Sequence, residues 1–149
     1  MLETNTSLNV LRLSGQKCGK QGVISLANAI KINKNLNLQE LDLSYNGEIE
    51  ADAGIAIAEA LTVNKTLKKL NLRKSQVYSK GAVHIAKSLY VNQTLTYLNL
   101  CCCDIRLEGT IAICDAMVNS TTLNARLQPE GEEDKECRDY LNARLGTCY

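Results

Sequence analysis

The cysteines and the one histidine are the residues of this chain whose chemistry has to be tested first. There are seven of the former and one of the latter. Three cysteines are consecutive, Cys101, Cys102 and Cys103, and the rest stand apart at Cys18, Cys114, Cys137 and Cys148. A structural zinc site takes four nitrogen or sulfur ligands, usually with Cys-x-x-Cys spacing. No such spacing occurs, and His84 cannot complete a set by itself, so no metal is expected. An odd count without paired spacing favours a reducing compartment over a disulfide framework. What remains for the run is a redox-sensitive thiol at Cys101 or Cys102, which would need exposure and a lowered pKa. Acid–base or covalent catalysis needs convergent groups, and the sequence holds no nucleophile motif and no Gly-rich phosphate loop. The expectation is a protein that is not an enzyme and takes no cofactor.

What must position these residues is a repeat. Leu-x-x-Leu-x-Leu occurs as Leu8, Leu11, Leu13, as Leu38, Leu41, Leu43, as Leu67, Leu70, Leu72 and as Leu95, Leu98, Leu100. The starts are 30, 29 and 28 residues apart (38−8, 67−38, 95−67). A unit of this size cannot bury its apolar side alone, so neighbours must stack. The rest of each unit has helical periodicity, with apolar residues at offsets of three and four. The third unit runs from Gly81 through Ile85, Ala86 and Leu89 to Asn92, and the others have equivalents at Gly22 to Asn33, Ala53 to Asn64 and Gly109 to Met117. Small residues on that face (Ala27, Ala58, Ala86, Cys114) let the helix lie close to the strands. Asn33, Asn64 and Asn92 sit where each helix should end, and a left-handed C-cap is expected of them. His84 occupies a slot matched by Ser25, Ala56 and Ala112, which predicts a helix-flank residue. Strand, helix and strand in succession require right-handed crossovers into a parallel sheet.

The Leu triplets, the Gly or Ala opening each helix, the small-residue helix face and the closing Asn-x-Thr-Leu together resemble the ribonuclease-inhibitor type of leucine-rich repeat. NOD-like receptors and activators of Ran-type GTPases carry the same type. The resemblance covers about residues 2–128 and implies an α/β solenoid, a right-handed horseshoe arc with the parallel sheet on the concave side and helices on the convex side. Such proteins share a shape and differ in partners. The family usually places Asn three residues after the third Leu, where this chain has Gln16, Asn46, Ser75 and Cys103. One extra residue near Gly47 and two near Lys34–Asn37 predict local bulges. Three cysteines fall in slots expected to be buried: Cys18 aligns with Val77 and Ile105, Cys103 with Asn46, and Cys114 with Ala58 and Ala86.

The ends depart from the frame. A fifth strand begins at Leu123, but Arg126 and Gln128 stand where leucines are expected, so the array is expected to stop there. Residues 1–128 are thus taken as leucine-rich repeats, about four full ones with partial units at both ends, and residues 129–149 as a linker and capping helix. The helix is expected over 132–145: Glu132, Glu133 and Asp134 suit its first turn, Cys137, Tyr140, Leu141 and Leu145 make a face, Arg144 lies in the last turn and Gly146 can end it. Pro129, Glu130 and Gly131 form the linker. At the other end, Leu2, Asn5, Ser7 and Leu8 repeat the spacing of Leu61, Asn64, Thr66 and Leu67. The chain therefore opens in the last turn of a repeat, as a fragment of a longer solenoid or with an open first strand that a partner or a second copy covers.

Composition excludes several classes. With 17 basic and 16 acidic residues the net charge is +1, which gives no electrostatic footprint for nucleic acid. The cluster Lys65, Lys68, Lys69, Arg73, Lys74 and Lys80 lacks a second basic unit to make a stripe. No apolar run approaches the length of a membrane span, and no signal peptide opens the chain, so a cytoplasmic setting without membrane contact is expected. The sequons at Asn5, Asn64, Asn92 and Asn119 follow from the repeat pattern, not from glycosylation.

Alternation along a strand names the binding surface. If the leucines face the core, Val10, Glu40, Lys69 and Tyr97 form one concave ladder and Arg12, Asp42, Asn71 and Asn99 a second. Ser14, Ser44, Arg73 and Cys101 follow, with Tyr45, Lys74 and Cys102 at the rim. Arg12 beside Asp42 and Glu40 beside Lys69 should partly neutralise the face. Tyr97, Arg73 and Tyr45 are the expected anchors, since aromatic and Arg residues dominate interfaces. The leading expectation is a non-enzymatic protein-interaction module binding a protein partner through this face. The alternatives are a structural fragment docking or self-associating end-on through its first strand, and, implied by the resemblance alone, a GTPase-regulatory scaffold.

Overall fold

The computed structural model describes residues 2–120, 123–127 and 135–145. Five short strands alternate with five helices: β1 (Val10–Arg12), α1 (Gly19–Ile32), β2 (Glu40–Asp42), α2 (Glu50–Val63), β3 (Lys69–Asn71), α3 (Tyr78–Leu89), β4 (Tyr97–Asn99), α4 (Arg106–Val118), β5 (Asn124–Arg126) and α5 (Lys135–Leu145). The strands make one parallel sheet in chain order, and each helix packs beside the next. The register places Leu11, Leu41, Leu70 and Leu98 side by side. This is the leucine-rich-repeat solenoid that the periodicity predicts.

The leucines hold the two layers together. Those of the second to fourth triplets are at most 3% exposed, and Val23, Ile57, Ile85 and Ile113 meet them from the helices. Each buried side chain of this size contributes roughly 1.5–3 kcal/mol. The extra residues before Leu38 bring in a further core residue, Leu36, which is 1% exposed. Leu8, Leu11 and Leu13 of the first triplet are only half-buried. Close approach of the helices depends on glycine: a Cβ on Gly54 would lie 2.8 Å from the Cα of Gly81 on the neighbouring helix.

Several expectations are corrected. Asn33, Asn64 and Asn92 are not left-handed; Asn33 and Asn64 have extended backbone, with φ −78° and −73°. Their side chains are buried and do the work instead. The Asn92 amide donates to the carbonyls of Leu61 (2.8 Å) and Asn64 (3.2 Å), and its oxygen accepts the backbone N–H of Thr94 and Leu95. Asn33 reaches back likewise to Leu2 and Asn5, so the asparagines stitch one repeat to the one before it. Left-handed backbone falls at three other recurring slots, Gly15, Tyr45, Lys74 and Cys102 after the strands, Lys17, Gly47 and Asp104 two residues on in three of these turns, and Gly19, Glu50, Tyr78 and Arg106 at the helix entries. There the chain reverses direction, and side-chain-bearing residues accept about 1–2 kcal/mol of strain each.

The fifth strand does form. Ala125 pairs with Leu98, so the frame is one residue earlier than expected: Ala125 takes the second-leucine slot, Leu127 the third, and Arg126 lies between them beside Asn99. Among the described residues of the expected closing helix, Cys137 and Leu141 are buried and Arg144 lies 3.7 Å from Asp115 of α4. Glu132, Glu133, Asp134, the linker Pro129–Gly131, Gln128, Gly146, Cys148 and the side chain of Leu145 lie outside the described residues. Cys103 and Cys114 are buried as expected, whereas Cys18 is only half-buried.

Candidate functional site: the concave sheet

Strand alternation turns two residues of every strand away from the leucine core. The register aligns Val10, Glu40, Lys69, Tyr97 and Asn124 in one row and Arg12, Asp42, Asn71, Asn99 and Arg126 in the next. The structure thus brings the predicted strand residues together, and it adds Arg126. Sequence reasoning missed Arg126 by placing it in a leucine slot. The signal that finds it is Leu127, which follows Leu100 by 27 residues (127−100), continuing the shortening series.

The second row is largely committed to the fold. Asp42, Asn71 and Asn99 each accept, through the side-chain oxygen, the backbone N–H two residues on: Ser44 at 2.9 Å, Arg73 at 3.1 Å and Cys101 at 3.0 Å. These bonds close the turn after each strand. The predicted neutralisation is therefore rearranged. Arg12 stands beside Asp42 in register, but its Nη2 donates to Glu40 at 2.9 Å; Lys69 lies 3.9 Å from the other Glu40 oxygen. Both pairs are exposed on the cationic side, where such contacts are worth little.

The remaining residues form a basic and aromatic patch. Arg73 Nε donates to the Tyr45 hydroxyl at 3.3 Å, and Lys74 Nζ lies 5.8 Å from the Tyr45 ring centre. The Tyr45 hydrogen bond and charge raise the Arg73 pKa, with smaller contributions from the nearby thiols. Across the sheet, the Arg126 guanidinium stands 5.9 Å from the Tyr97 ring, whose hydroxyl accepts from Asn99 at 3.4 Å. Tyr45 is 52% exposed. Four cations, Lys69, Arg73, Lys74 and Arg126, run with the two rings from the turn after β2 to β5, while Glu40 and Asp42 lie on β2 itself.

Four residues predicted for this surface are buried, Asn99 (7% exposed) and Ser44 as well as two thiols. Cys101, expected on the concave face, is 5% exposed, and Cys102, expected at the rim, is 8% exposed. Burial pushes the Cys101 thiol up although Arg73 and Arg126 pull it the other way, which is the reverse of what a reactive thiol requires. Ser44 is also buried, and its hydroxyl meets that of Ser14 at 2.9 Å. His84 binds the Lys80 carbonyl through Nδ1 at 2.8 Å, on the helix flank. Among the described residues no group of three His, Cys, Asp or Glu could hold a metal, and no helix is long and apolar enough to cross a membrane.

Comparisons with known proteins agree with this architecture. The family described as "Leucine Rich repeat" matches residues 34–58, 63–86 and 91–114. A search of curated proteins returned no match. Among solved structures, one described as leiomodin-1 actin-binding site 2 superposes with TM-score 0.70 at 21% identity, covering 96% of this chain and 84% of that one. The tropomodulin C-terminal domain of Caenorhabditis elegans superposes with TM-score 0.72 at 16% identity, covering 96% and 90%. At such identities the likeness is one of fold. The chain is a leucine-rich-repeat protein.

Proposed function

We propose that this chain is a non-enzymatic protein-interaction module that captures a protein partner on its concave sheet. The observation that carries the reading is the pairing of tyrosines with cations, the Tyr45 hydroxyl with Arg73 and its ring with Lys74, and the Tyr97 ring with Arg126. Tyr and Arg are enriched among the few residues that dominate interface energies, and a cation over a ring adds about 0.5–1 kcal/mol at an exposed site. With Lys69 and Lys74 alongside, the patch suits an acidic protein surface. The described thiols are in no disulfide among the described residues, which supports a reducing, cytoplasmic setting.

The leiomodin-1 domain is described as an actin-binding site, so actin is the first partner to test. Labelled actin titrated with the chain should bind saturably, and Tyr97→Ala with Arg126→Glu should weaken binding by at least about tenfold, or ~1.4 kcal/mol. Unchanged affinity in that variant would overturn the assignment of the site.

A second reading is favoured by the first strand. Among the described residues β1 pairs only with β2, Val10 is 39% exposed and the first leucine triplet is half-buried. Such an edge suits end-on docking or self-association. Val10→Lys should then reduce the solution mass while leaving capture on the concave sheet intact; an unchanged mass would remove this reading.

A further inference from the structure

The helix ends carry apolar residues that neither the core nor the concave sheet uses. The residues directly before Asn33, Asn64, Asn92 and Asn119 are Ile32, Val63, Val91 and Val118, exposed by 64%, 38%, 55% and 61%. Tyr90 adjoins them at 51%. Seven large hydrophobic side chains are exposed among the described residues, and these are five of them; Val10 and Tyr45 belong to the concave side. A single exposed valine needs no explanation. One that recurs in the same slot of four stacked units makes a row.

The fold does not demand this row. Ile30, Leu61 and Leu89 fill the core from the same turns, and the asparagines that follow make the inter-repeat bonds. β-branched residues are also poorer helix formers than lysine. Charge indicates what the row suits. Lys31 and Lys87 lie in the last turns of their helices, and Lys34 and Lys65 directly follow two of the asparagines. The acids nearby are committed, Glu59 to Lys31 at 2.9 Å and Asp115 to Arg144 at 3.7 Å. Lys34, Lys65 and Lys87 have no carboxylate partner among the described residues.

Spacing adds a second constraint. Packed helices stand roughly 8–10 Å apart, and seven residues of an α-helix rise about 10.5 Å. A helix lying along the row with apolar residues at heptad spacing therefore meets successive units in step. We propose that this row docks an acidic amphipathic helix of a partner protein. Its apolar side rests on Ile32, Val63, Val91 and Val118, and its carboxylates pair with Lys34, Lys65 and Lys87. A second copy of this chain is disfavoured, because it would bring the same lysines together. The surface is separate from the concave sheet.

The test uses the full chain and two labelled helical peptides of about 20 residues, long enough to span roughly 30 Å. Both carry leucine at heptad spacing, one flanked by glutamates and the other by lysines. The acidic peptide should bind saturably and at least about tenfold tighter than the basic one. The double variants Val63→Ser/Val91→Ser and Lys65→Glu/Lys87→Glu should each lose at least about tenfold in affinity. All four residues are exposed, so circular dichroism should be unchanged, and Tyr97→Ala should bind as the parent does. Equal binding of the two peptides, insensitivity to either double variant, or no saturable binding would overturn the proposal. So would capture of phosphatidylglycerol vesicles in place of the acidic peptide, which would reassign the row to a lipid surface.

Discussion

Asn46, Ser75 and Cys103 occupy one slot in successive repeats and perform one task with three chemistries. The Asn46 amide donates to the carbonyls of Leu13 and Leu43, the Ser75 hydroxyl to Leu43 and the Cys103 thiol to Leu72. The thiol is the one that titrates: burial pushes its pKa up to about 12, and that of Cys114 to about 11. An unfolded thiol ionises near 8.5. The stability these thiols lend is therefore complete below pH ~8.5 and is lost progressively as pH rises toward their folded values. Melting temperature should fall above about pH 9, and Cys103→Ser, which keeps the donor, should fall less steeply; parallel curves would disprove the linkage. Asn92→Ala should cost about 1–3 kcal/mol in denaturant unfolding, because the Leu61 carbonyl and the Leu95 N–H lose a buried partner. The position of these asparagines was legible from periodicity. Their task was not, because periodicity marks where a helix ends and not which carbonyl of the previous repeat lies within reach.

At the scale of elements, the leucine spacing specified strands, helices and their order, since that arrangement buries the second to fourth triplets. Leu70, wholly buried in β3, should cost about 2–5 kcal/mol when replaced by alanine; a negligible loss would contradict the register. Helix contact is equally specific. Gly54→Ala gains about 1 kcal/mol in helix propensity, but its Cβ would sit 2.8 Å from Gly81 Cα, and overpacking costs roughly 1–3 kcal/mol. The clash wins, and the melting temperature should drop; a rise would mean that α2 and α3 separate freely. β5 was misframed because Ala125 is a weak mark of a leucine slot and the repeat had shortened again. Arg126 was lost with it, although it stands over Tyr97 and completes the patch.

For the whole molecule, the concave acids Glu40 and Asp42 both lie on β2, where Glu40 is ion-paired to Arg12 and Lys69, and a cationic, aromatic patch runs from the loop after β2 to β5. That division was half legible, since strand alternation names the outward residues but not which side chains turn back to cap their own loops, as Asp42, Asn71 and Asn99 do. It also could not show that Cys101 would be covered by its neighbours. The central claim is capture of a protein on this patch. The most direct measurement is site-specific photocrosslinking from position 97 in cell extract, compared with the same probe at position 63 on the helix-end row. Discrete protein adducts from position 97 that vanish on adding Arg73→Glu and persist with Val10→Lys are predicted. Adducts that are insensitive to Arg73→Glu, or capture of the same proteins from position 63 as from position 97, would contradict the assignment.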